Sequence, residues 1–233
     1  MELIKFENVG LSFKRKGKGQ ITAIKDASFN LLEGETLGII GRNGAGKSTL
    51  LRILAGTYLA DKGSIVRNTE NCALLTLQLG FVPYLNGIDN AILSGMLQGL
   101  DKKYIESKIP EIIEYTELGK MIHEPISTWS TGMVARLGFA LALEIKPKIL
   151  LIDESLSVGD MAFKKKSEAA IKQRIKSNQT VVLVSHSIST IEELCDRVVW
   201  IEQGVTKAQG KTDVVLEMYN NHVKNSMSKK LWA

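Results

Sequence analysis

The chain opens with two segments in which apolar and polar positions alternate. Residues 3–13 (LIKFENVGLSF) carry this period of two, and residues 20–32 (QITAIKDASFNLL) follow after a lysine- and glycine-rich turn at 14–19. Alternation of this kind is typical of half-buried strands that pair antiparallel across a turn. The pattern therefore predicts an antiparallel β hairpin at the N-terminus.

Three later segments are apolar almost throughout, as parallel strands buried on both faces usually are. They are 36–40 (TLGII), 148–153 (KILLID) and 180–186 (TVVLVSH), and each is followed by a helix-like segment. Residues 197–210 predict a terminal hairpin, and residues 212–224 predict a last helix. Strands that alternate with helices in this way indicate a parallel α/β core.

Between residues 86 and 146 the apolar positions recur every three or four residues, which is the helical period. The segments 87–100 and 101–118 show it, and Pro110 is expected to kink or restart the second helix. We interpret residues 86–146 as a helical subdomain inserted into the α/β core.

Composition narrows the class of protein further. The chain has 233 residues, of which 44% are hydrophobic and 24% charged, as in a globular protein with a real core. No apolar run approaches the roughly 18 residues of a membrane span, and the N-terminus has no signal-peptide pattern. The two cysteines, Cys72 and Cys195, fit a reducing compartment rather than a disulfide scaffold. These features predict a cytoplasmic protein.

The chain has a net charge of +5, and its basic residues form clusters at 14–18, 164–166 and 229–230. Such clusters could meet nucleic acid or anionic membrane headgroups, or they could be solvated loops and tails. Aromatic residues do not interleave with them, as they do in single-strand binders that stack on bases. We therefore expect no nucleic-acid partner.

A phosphate-binding loop lies between the strand at 36–40 and the helix predicted at 47–55. Its sequence GRNGAGKS (41–48) matches G-x-x-x-x-G-K-[ST] in the strand-loop-helix context that the motif requires. Glycines let backbone N–H groups surround phosphate oxygens, lysine reaches the β- and γ-phosphates, and the serine hydroxyl can hold Mg²⁺. The sequence thus predicts a nucleoside triphosphate bound with Mg²⁺ by Gly41, Arg42, Asn43, Gly44, Ala45, Gly46, Lys47, Ser48 and Thr49.

Two further strands end in candidate catalytic groups. The strand at 148–153 ends in Asp153, which can hold Mg²⁺ through water, and the next residue is Glu154, a suitable general base for water attacking the γ-phosphate. The strand at 180–186 ends in His186, which could donate to the γ-phosphate because ligands bind at the carboxyl edge of parallel sheets. A structural histidine is the alternative.

These elements predict an α/β fold, namely a P-loop NTPase core with a mostly parallel sheet. An N-terminal antiparallel β subdomain and an inserted α-helical subdomain complete it. We expect one domain over residues 1–233, with 1–85 and 147–222 as the core, 86–146 as the helical subdomain and 223–233 as a polar tail.

One stretch at the start of a predicted helix is not explained by these parts alone. Trp129-Ser130-Thr131-Gly132-Met133 lies between the helical insertion and the acidic strand. Ser130 could simply cap the helix. However, the order of phosphate loop, helical insertion, Ser-Thr-Gly helix, acidic strand, "SVGD" and histidine resembles the ATP-binding-cassette ATPases over residues 1–222. In that family the helix here carries Leu-Ser-Gly-Gly-Gln, of which this chain keeps the serine and the second glycine.

The resemblance implies further residue roles. Ser130 and Gly132 would contact the γ-phosphate held by a second copy of the chain, so that a homodimer encloses two ATP molecules. Asp160, in "SVGD" (157–160), would cross the dimer interface. Phe13 matches the aromatic that stacks on adenine, although a core position is the alternative. Gln78 lies near the family's γ-phosphate-sensing and metal-binding glutamine, but "LTLQLGFVPYLNG" departs from the usual Phe-Gln pattern.

Three stretches depart from the common motifs: Ser-x-Gly-Met at 130–133, SVGD at 157–160 and LGFVPYLNGIDN at 79–90. In these stretches the chain resembles the ATPase subunits of bacterial exporters of lipid-linked polysaccharides, such as O-antigens, capsules and wall teichoic acids. This resemblance implies a membrane-spanning permease as partner, a location at the cytoplasmic face of the inner membrane, and a polysaccharide contacted mainly through the permease. A soluble cassette ATPase and a small-molecule kinase are the alternatives. The kinase would leave Ser130, Gly132 and His186 without a role.

A candidate surface for contact with the permease lies before the helical insertion, at about Gln78 to Leu97. It is dense in apolar and aromatic residues for a connecting segment: Phe81, Val82, Tyr84, Leu85 and Ile88. Either these side chains form a docking groove or they pin the insertion to the core.

Overall fold

The computed structural model describes residues 1–15, 17, 19–153 and 160–231, which divide into two compact units. Unit 1 holds residues 1–74, 148–153 and 174–231, and unit 2 holds residues 75–147 and 160–173. Unit 2 thus includes residues 75–85 and 160–173, which the sequence pattern assigned to the core. Each unit is described separately below.

Within the described residues, nine strands form one mixed sheet in unit 1. They are β1 Glu2–Arg15, β2 Gly19–Leu32, β3 Thr36–Ile40, β4 Lys62–Arg67, β5 Cys72–Leu74, β6 Ile149–Ile152, β7 Thr180–Val184, β8 Arg197–Glu202 and β9 Val205–Lys211. Their order across the sheet is β4-β1-β2-β9-β8-β3-β7-β6-β5. The predicted antiparallel hairpins are β1–β2 and β8–β9.

The parallel part of the sheet confirms the predicted α/β core. β3 lies between β7 and β8, and β6 lies between β7 and β5, with all four pairings parallel. β3, β6 and β7 are buried along their whole length, as their apolar runs require. Ile39 pairs with Val184 and Ile152 with Leu183, so the carboxyl ends of β3, β6 and β7 meet at one edge.

Seven helices lie in the described ranges. They are α1 Lys47–Leu54, α2 Gly87–Leu97, α3 Lys102–Thr116, α4 Thr131–Glu144, α5 Met161–Ile175, α6 Ile188–Leu194 and α7 Thr212–Leu231, with 3₁₀ turns at Gly119–His123 and Ile126–Thr128. Local sequence starts several of them, because a polar side chain before the first turn accepts a backbone N–H. The caps are Asn86 for α2, Asp101 for α3, Ser130 for α4 and Ser187 for α6.

Each unit has its own apolar core. In unit 1 the buried residues of α1 pack against the sheet, among them Leu50, Leu51 and Ile53. In unit 2 α2, α3, α4 and the 3₁₀ turns surround a second cluster that includes Ile122, Trp129 and Leu137. None of the described helices is long and apolar enough to cross a membrane.

Three local features differ from the sequence-based expectations. α3 continues through Pro110 as one helix, so Pro110 does not restart the helix, which was one of the two effects expected of it. The carbonyl four residues earlier belongs to Glu106, which is exposed, so water can replace the hydrogen bond that proline removes. α7 continues to Leu231, through residues expected to form a polar tail, and no Gly or Pro interrupts it. β4 and β5 were not predicted.

Candidate functional site

The three buried strand ends of unit 1 open onto one cavity of about 450 Å³. The phosphate loop follows β3, Asp153 follows β6, and His186 lies two residues beyond β7. The cavity is lined by Ile21, Thr22, Ala23, Asn43, Gly44, Gly46, Lys47, Ser48, Thr49, Asp153, Val184 and His186. Eight residues predicted from the sequence therefore line the same space.

The phosphate loop has the backbone shape that its glycines permit. Gly44 and Gly46 have φ values of 77° and 106°, in the region that favours glycine. A Cβ atom on Gly46 would lie 2.6 Å from Ile24 Cδ1 and 2.8 Å from the Ala23 carbonyl oxygen. α1 begins at the next residue, and the positive end of its dipole faces the loop. An anion can thus approach backbone N–H groups without meeting a side chain.

Lys47 is held inside this loop. Its side chain is almost buried, and its Nζ donates to the carbonyl oxygens of Gly41 at 2.8 Å and Arg42 at 3.2 Å. A buried ammonium needs such partners, because desolvation without them is costly. The cation is therefore already in the loop that would surround the phosphates.

Ser48 and Asp153 provide the oxygen ligands that Mg²⁺ prefers, a hydroxyl and a carboxylate, and both line the cavity. The donor set therefore fits a magnesium ion bound next to phosphates. His186 is exposed and reaches the same cavity. Glu154, the predicted general base, lies outside the described residues.

Phe13 does not line the cavity but lies beside it. It pairs with Ile21 across β1 and β2, and cross-strand partners lie on the same face of a sheet. Ile21 lines the cavity. The Phe13 ring packs edge-on against Tyr58 with centroids 5.3 Å apart, and Arg52 lies 5.8 Å from the Tyr58 centroid. Sequence reasoning missed Tyr58, although an aromatic residue just after α1 was visible.

Unit 2 has a separate cavity of about 400 Å³ at the start of α4. Its lining includes Ser130, Gly132 and Asp160, the three residues to which the sequence gave roles across a dimer interface, together with Glu117, Leu118, Met121, Met133 and Arg136. Ser130 is exposed, and its Oγ accepts the Met133 N–H at 3.2 Å. Ser130 therefore caps α4 and also presents an exposed hydroxyl at the start of this helix.

Asp160 is fixed by donors on two sides. Its Oδ1 accepts the N–H groups of Ala162 and Phe163 at the start of α5, and its Oδ2 accepts from Arg136. The Phe163 N–H, followed by Arg136, lowers the pKa of the Asp160 carboxyl. Arg136 was not predicted as a site residue.

The segment before α2 is held by Asn90. This fully buried side chain accepts the Val82 N–H at 2.6 Å and donates to the carbonyls of Val82, Leu85 and Asn86. Phe81 and Ile88 pack on the apolar cluster of unit 2, whereas Tyr84 is 80% exposed. Gln78 is exposed and belongs to unit 2.

The same segment is joined to the chain that leads into α4. Ile126 N–H donates to the Leu85 carbonyl at 3.0 Å, and Ser127 N–H donates to the Pro83 carbonyl at 2.9 Å. Trp129 packs against Gly87, where a Cβ atom would lie 2.5 Å from the indole ring. The indole Nε1 is buried and has no hydrogen-bond partner among the described residues.

Comparison with known proteins extends these observations. Residues 24–157 match the sequence profile of the family described as ABC transporter. An O-antigen export system ATP-binding protein of Klebsiella pneumoniae is 43% identical over 84% of this chain and 80% of its own length. A teichoic acids export ATP-binding protein of Bacillus anthracis is 38% identical over 94% of this chain, which spans only 40% of that longer protein.

Solved structures agree with the fold. A dimeric ATP-binding cassette in a post-hydrolysis state with ADP and Pi superposes with a TM-score of 0.72 at 23% identity, covering 90% of this chain and 99% of that one. The ATP-binding subunit of an ABC transporter superposes with a TM-score of 0.73 at 22% identity, covering 94% of this chain and 93% of that one.

Proposed function

This chain belongs to the ABC transporter family and is an ATP-binding ATPase, and we propose that two copies of it close around two ATP molecules. The closed dimer drives export of a lipid-linked polysaccharide through a separate membrane subunit. The observation that carries the proposal is that the phosphate loop, Asp153 and His186 line one shared cavity of unit 1. Family membership alone would leave the positions of these groups open.

The residues of this cavity divide the chemistry among them. Lys47 and the loop N–H groups bind the β- and γ-phosphates, and Phe13 packs against the adenine. Ser48 and Asp153, which line this cavity, would hold Mg²⁺. Bound Mg²⁺ supplies neutralisation of the phosphate charge.

Glu154 removes a proton from the attacking water, while His186 donates a hydrogen bond to the γ-phosphate. Both steps stabilise charge that develops as water attacks. Glu154 directly follows Asp153 in the sequence, so a base at this position would lie next to the carboxylate that holds Mg²⁺.

The second copy of the chain completes each site. Ser130 and Gly132 at the start of α4 meet the γ-phosphate bound by the partner, and Asp160 crosses the interface. The exposure of Ser130 and the shared cavity of these three residues support this role. A helix N-terminus with a free hydroxyl suits an anion, because its N–H groups and its dipole both favour negative charge.

Export is the transport direction supported by the relatives, whose names refer to O-antigen and teichoic acids. We therefore propose that the chain lies on the cytoplasmic face of the bacterial inner membrane, attached to a permease that makes most of the contacts with the polymer. The exposed Tyr84, on a segment braced by Asn90, is the proposed point of attachment.

The test uses a bacterial strain that lacks this chain, complemented with wild type or with Lys47→Ala. Wild type should restore polymer at the cell surface, and Lys47→Ala should leave lipid-linked polymer inside the cell. Tagged wild-type chain should also co-purify with a membrane permease. Normal surface polymer in the strain without the chain would instead favour a cassette ATPase that does not serve transport.

A further inference from the structure

Four charged side chains join three helices of unit 2 next to Ser130. They are Glu117 at the end of α3, Arg136 in α4, Asp160 directly before α5 and Lys166 within α5. We name these four residues the Arg136 cluster. Lys166 Nζ donates to Glu117 Oε1 at 2.7 Å and to the Tyr115 carbonyl at 2.9 Å. The ABC transporter roles proposed above use only Asp160 from this group.

Arg136 is the most constrained member. One guanidinium nitrogen donates to Asp160 Oδ2, and the other donates to the Thr116 carbonyl at 3.3 Å and lies 3.9 Å from Glu117 Oε2. The guanidinium also covers the buried Phe163 ring, 5.2 Å from its centroid. Its side chain is only 19% exposed, whereas the side chains of Asp160 and Glu117 are 55% and 61% exposed. A planar fork with three partners and a ring beneath it can adopt few other positions.

This arrangement ties two functional elements together. Arg136 and Ser130 belong to the same rigid segment, because Ser130 caps α4 and Arg136 follows about 9 Å along its axis at 1.5 Å per residue. At the other end Arg136 holds Asp160, which in turn caps α5. The guanidinium, together with the contact between the Phe139 and Phe163 rings, therefore links the helix start at Ser130 to Asp160.

We infer that Arg136 is a positioning residue that holds Asp160 and the Ser130–Gly132 helix start in the relative placement needed to meet the partner's nucleotide together. The inference rests on the proposed ATP-driven homodimer. Groups that must engage one ligand at the same time gain from being held in place beforehand, because less freedom is lost when the dimer closes.

The backbone at Glu117 supports the inference. Glu117 has a φ of 57°, a conformation that favours glycine at a helix end. Strained backbone of this kind persists where the surrounding contacts determine it. Here the carboxylate contacts both cations of the Arg136 cluster, so a side chain at this position has a use that glycine could not provide.

The experiment compares Arg136→Gln with Lys166→Gln in the purified full chain carrying Glu154→Gln, which is expected to accumulate the ATP-bound dimer. Both variants remove a cation of the cluster that bonds to an α3 carbonyl and lies beside Glu117, but only Arg136 contacts Asp160. Arg136→Gln should weaken ATP-driven dimerisation by about tenfold, the size of one lost charge-assisted contact. It should leave the ATP affinity of the monomer within about twofold. Lys166→Gln should change neither by more than about twofold.

Arg136→Lys should recover part of the loss, since it keeps the charge without the fork. Asp160→Asn gives an independent measurement that keeps the fold, because asparagine also caps helices well. The double variant Arg136→Gln/Asp160→Asn should dimerise as well as whichever single variant dimerises less tightly, because both substitutions remove the same contact between Arg136 and Asp160.

The outcomes separate the two hypotheses. A parent chain that stays monomeric with ATP overturns the proposed dimer and this inference with it. A parent that dimerises while Arg136→Gln dimerises equally well, or while Lys166→Gln is equally impaired, overturns the positioning role alone. Additive losses in the double variant do the same.

Discussion

The phosphate loop is already formed around its lysine. Lys47 Nζ donates to two carbonyls of the loop, at 2.8 and 3.2 Å, so the buried ammonium has hydrogen-bond partners within the loop itself. We therefore expect nucleotide binding by the monomer to depend on this loop, and closure of the proposed dimer to depend on residues of unit 2.

Single substitutions can separate these two steps. Lys47→Ala should abolish tight ATP binding, because it deletes the charge that faces the β- and γ-phosphates. Ser130→Ala should leave ATP binding by the monomer nearly intact and weaken only ATP-driven dimerisation. Calorimetric titration and size-exclusion chromatography measure the two steps.

The matched control for Ser130→Ala is Asp101→Ala, which removes another N-cap in unit 2. Each change should cost about 0.5–2 kcal/mol of stability through the lost cap. Only Ser130→Ala should weaken the dimer. Equal loss of monomer binding in Lys47→Ala and Ser130→Ala would contradict the role across the interface.

The proposed general base gives a second prediction at the scale of a residue. Glu154→Gln should keep ATP binding but lower the rate of hydrolysis by roughly 10²–10⁴, the usual contribution of a positioned base. ATP should then accumulate a closed dimer, detectable by sedimentation. A rate within about threefold of wild type would remove Glu154 from this role.

At the scale of elements, local patterns predicted most of the fold because they are strong where strands are buried. TLGII over 36–40 coincides with β3, and the hairpin of β1 and β2 follows its alternation. β4 was missed because it is an edge strand with mostly exposed residues, so it carries no apolar run. β5 has only three residues.

The candidate site divides in the same way. The loop residues, Asp153 and His186 were predictable because each follows a recognisable strand. Arg136 was not, because its partner Asp160 is 24 positions away and only the packing of α4 against α5 brings them together. Tyr58 was likewise not predictable, because its ring contacts Phe13 on a strand that is distant in sequence.

The segment before α2, which the Asn90 side chain holds by hydrogen bonds, gives a prediction about attachment to the permease. Tyr84 is 80% exposed, while its neighbours Phe81 and Ile88 are packed on the helical cluster. Tyr84→Glu should leave ATP hydrolysis by the isolated chain unchanged, and it should stop co-purification with the permease and export of polymer. Leu59→Glu is the control, because Leu59 of unit 1 is 84% exposed and its substitution introduces the same negative charge. Normal export by Tyr84→Glu would move the attachment surface elsewhere.

At the scale of the whole molecule, the two thiols report on opening of unit 1. Burial raises the pKa of Cys72 and Cys195 to about 12. Because the thiolate is the reactive form, these raised pKa values make both thiols less reactive at pH 8 in the folded chain than in the unfolded one. Labelling by a disulfide reagent should therefore be slow in buffer and fast in urea.

The same shifts have a defined effect on stability. The folded chain keeps both thiols protonated, so their contribution is fully present below about pH 8.5 and decreases as the pH rises toward 12. Urea unfolding at pH 7.5 and 10 measures the difference. Rapid labelling of the native chain at pH 8 would contradict the burial of these side chains.

Trp129 gives unit 2 an optical property. Its indole lies against Gly87, directly before Ser130, and its Nε1 has no hydrogen-bond partner in the described ranges. An indole in an apolar contact without a hydrogen bond emits at shorter wavelength than one in water. If a partner's nucleotide occupies the α4 start as proposed, we expect this emission to change, because Ser130 directly follows Trp129 in the chain. With Trp200 and Trp232 replaced by phenylalanine, dimer closure could be timed in solution without any attached dye.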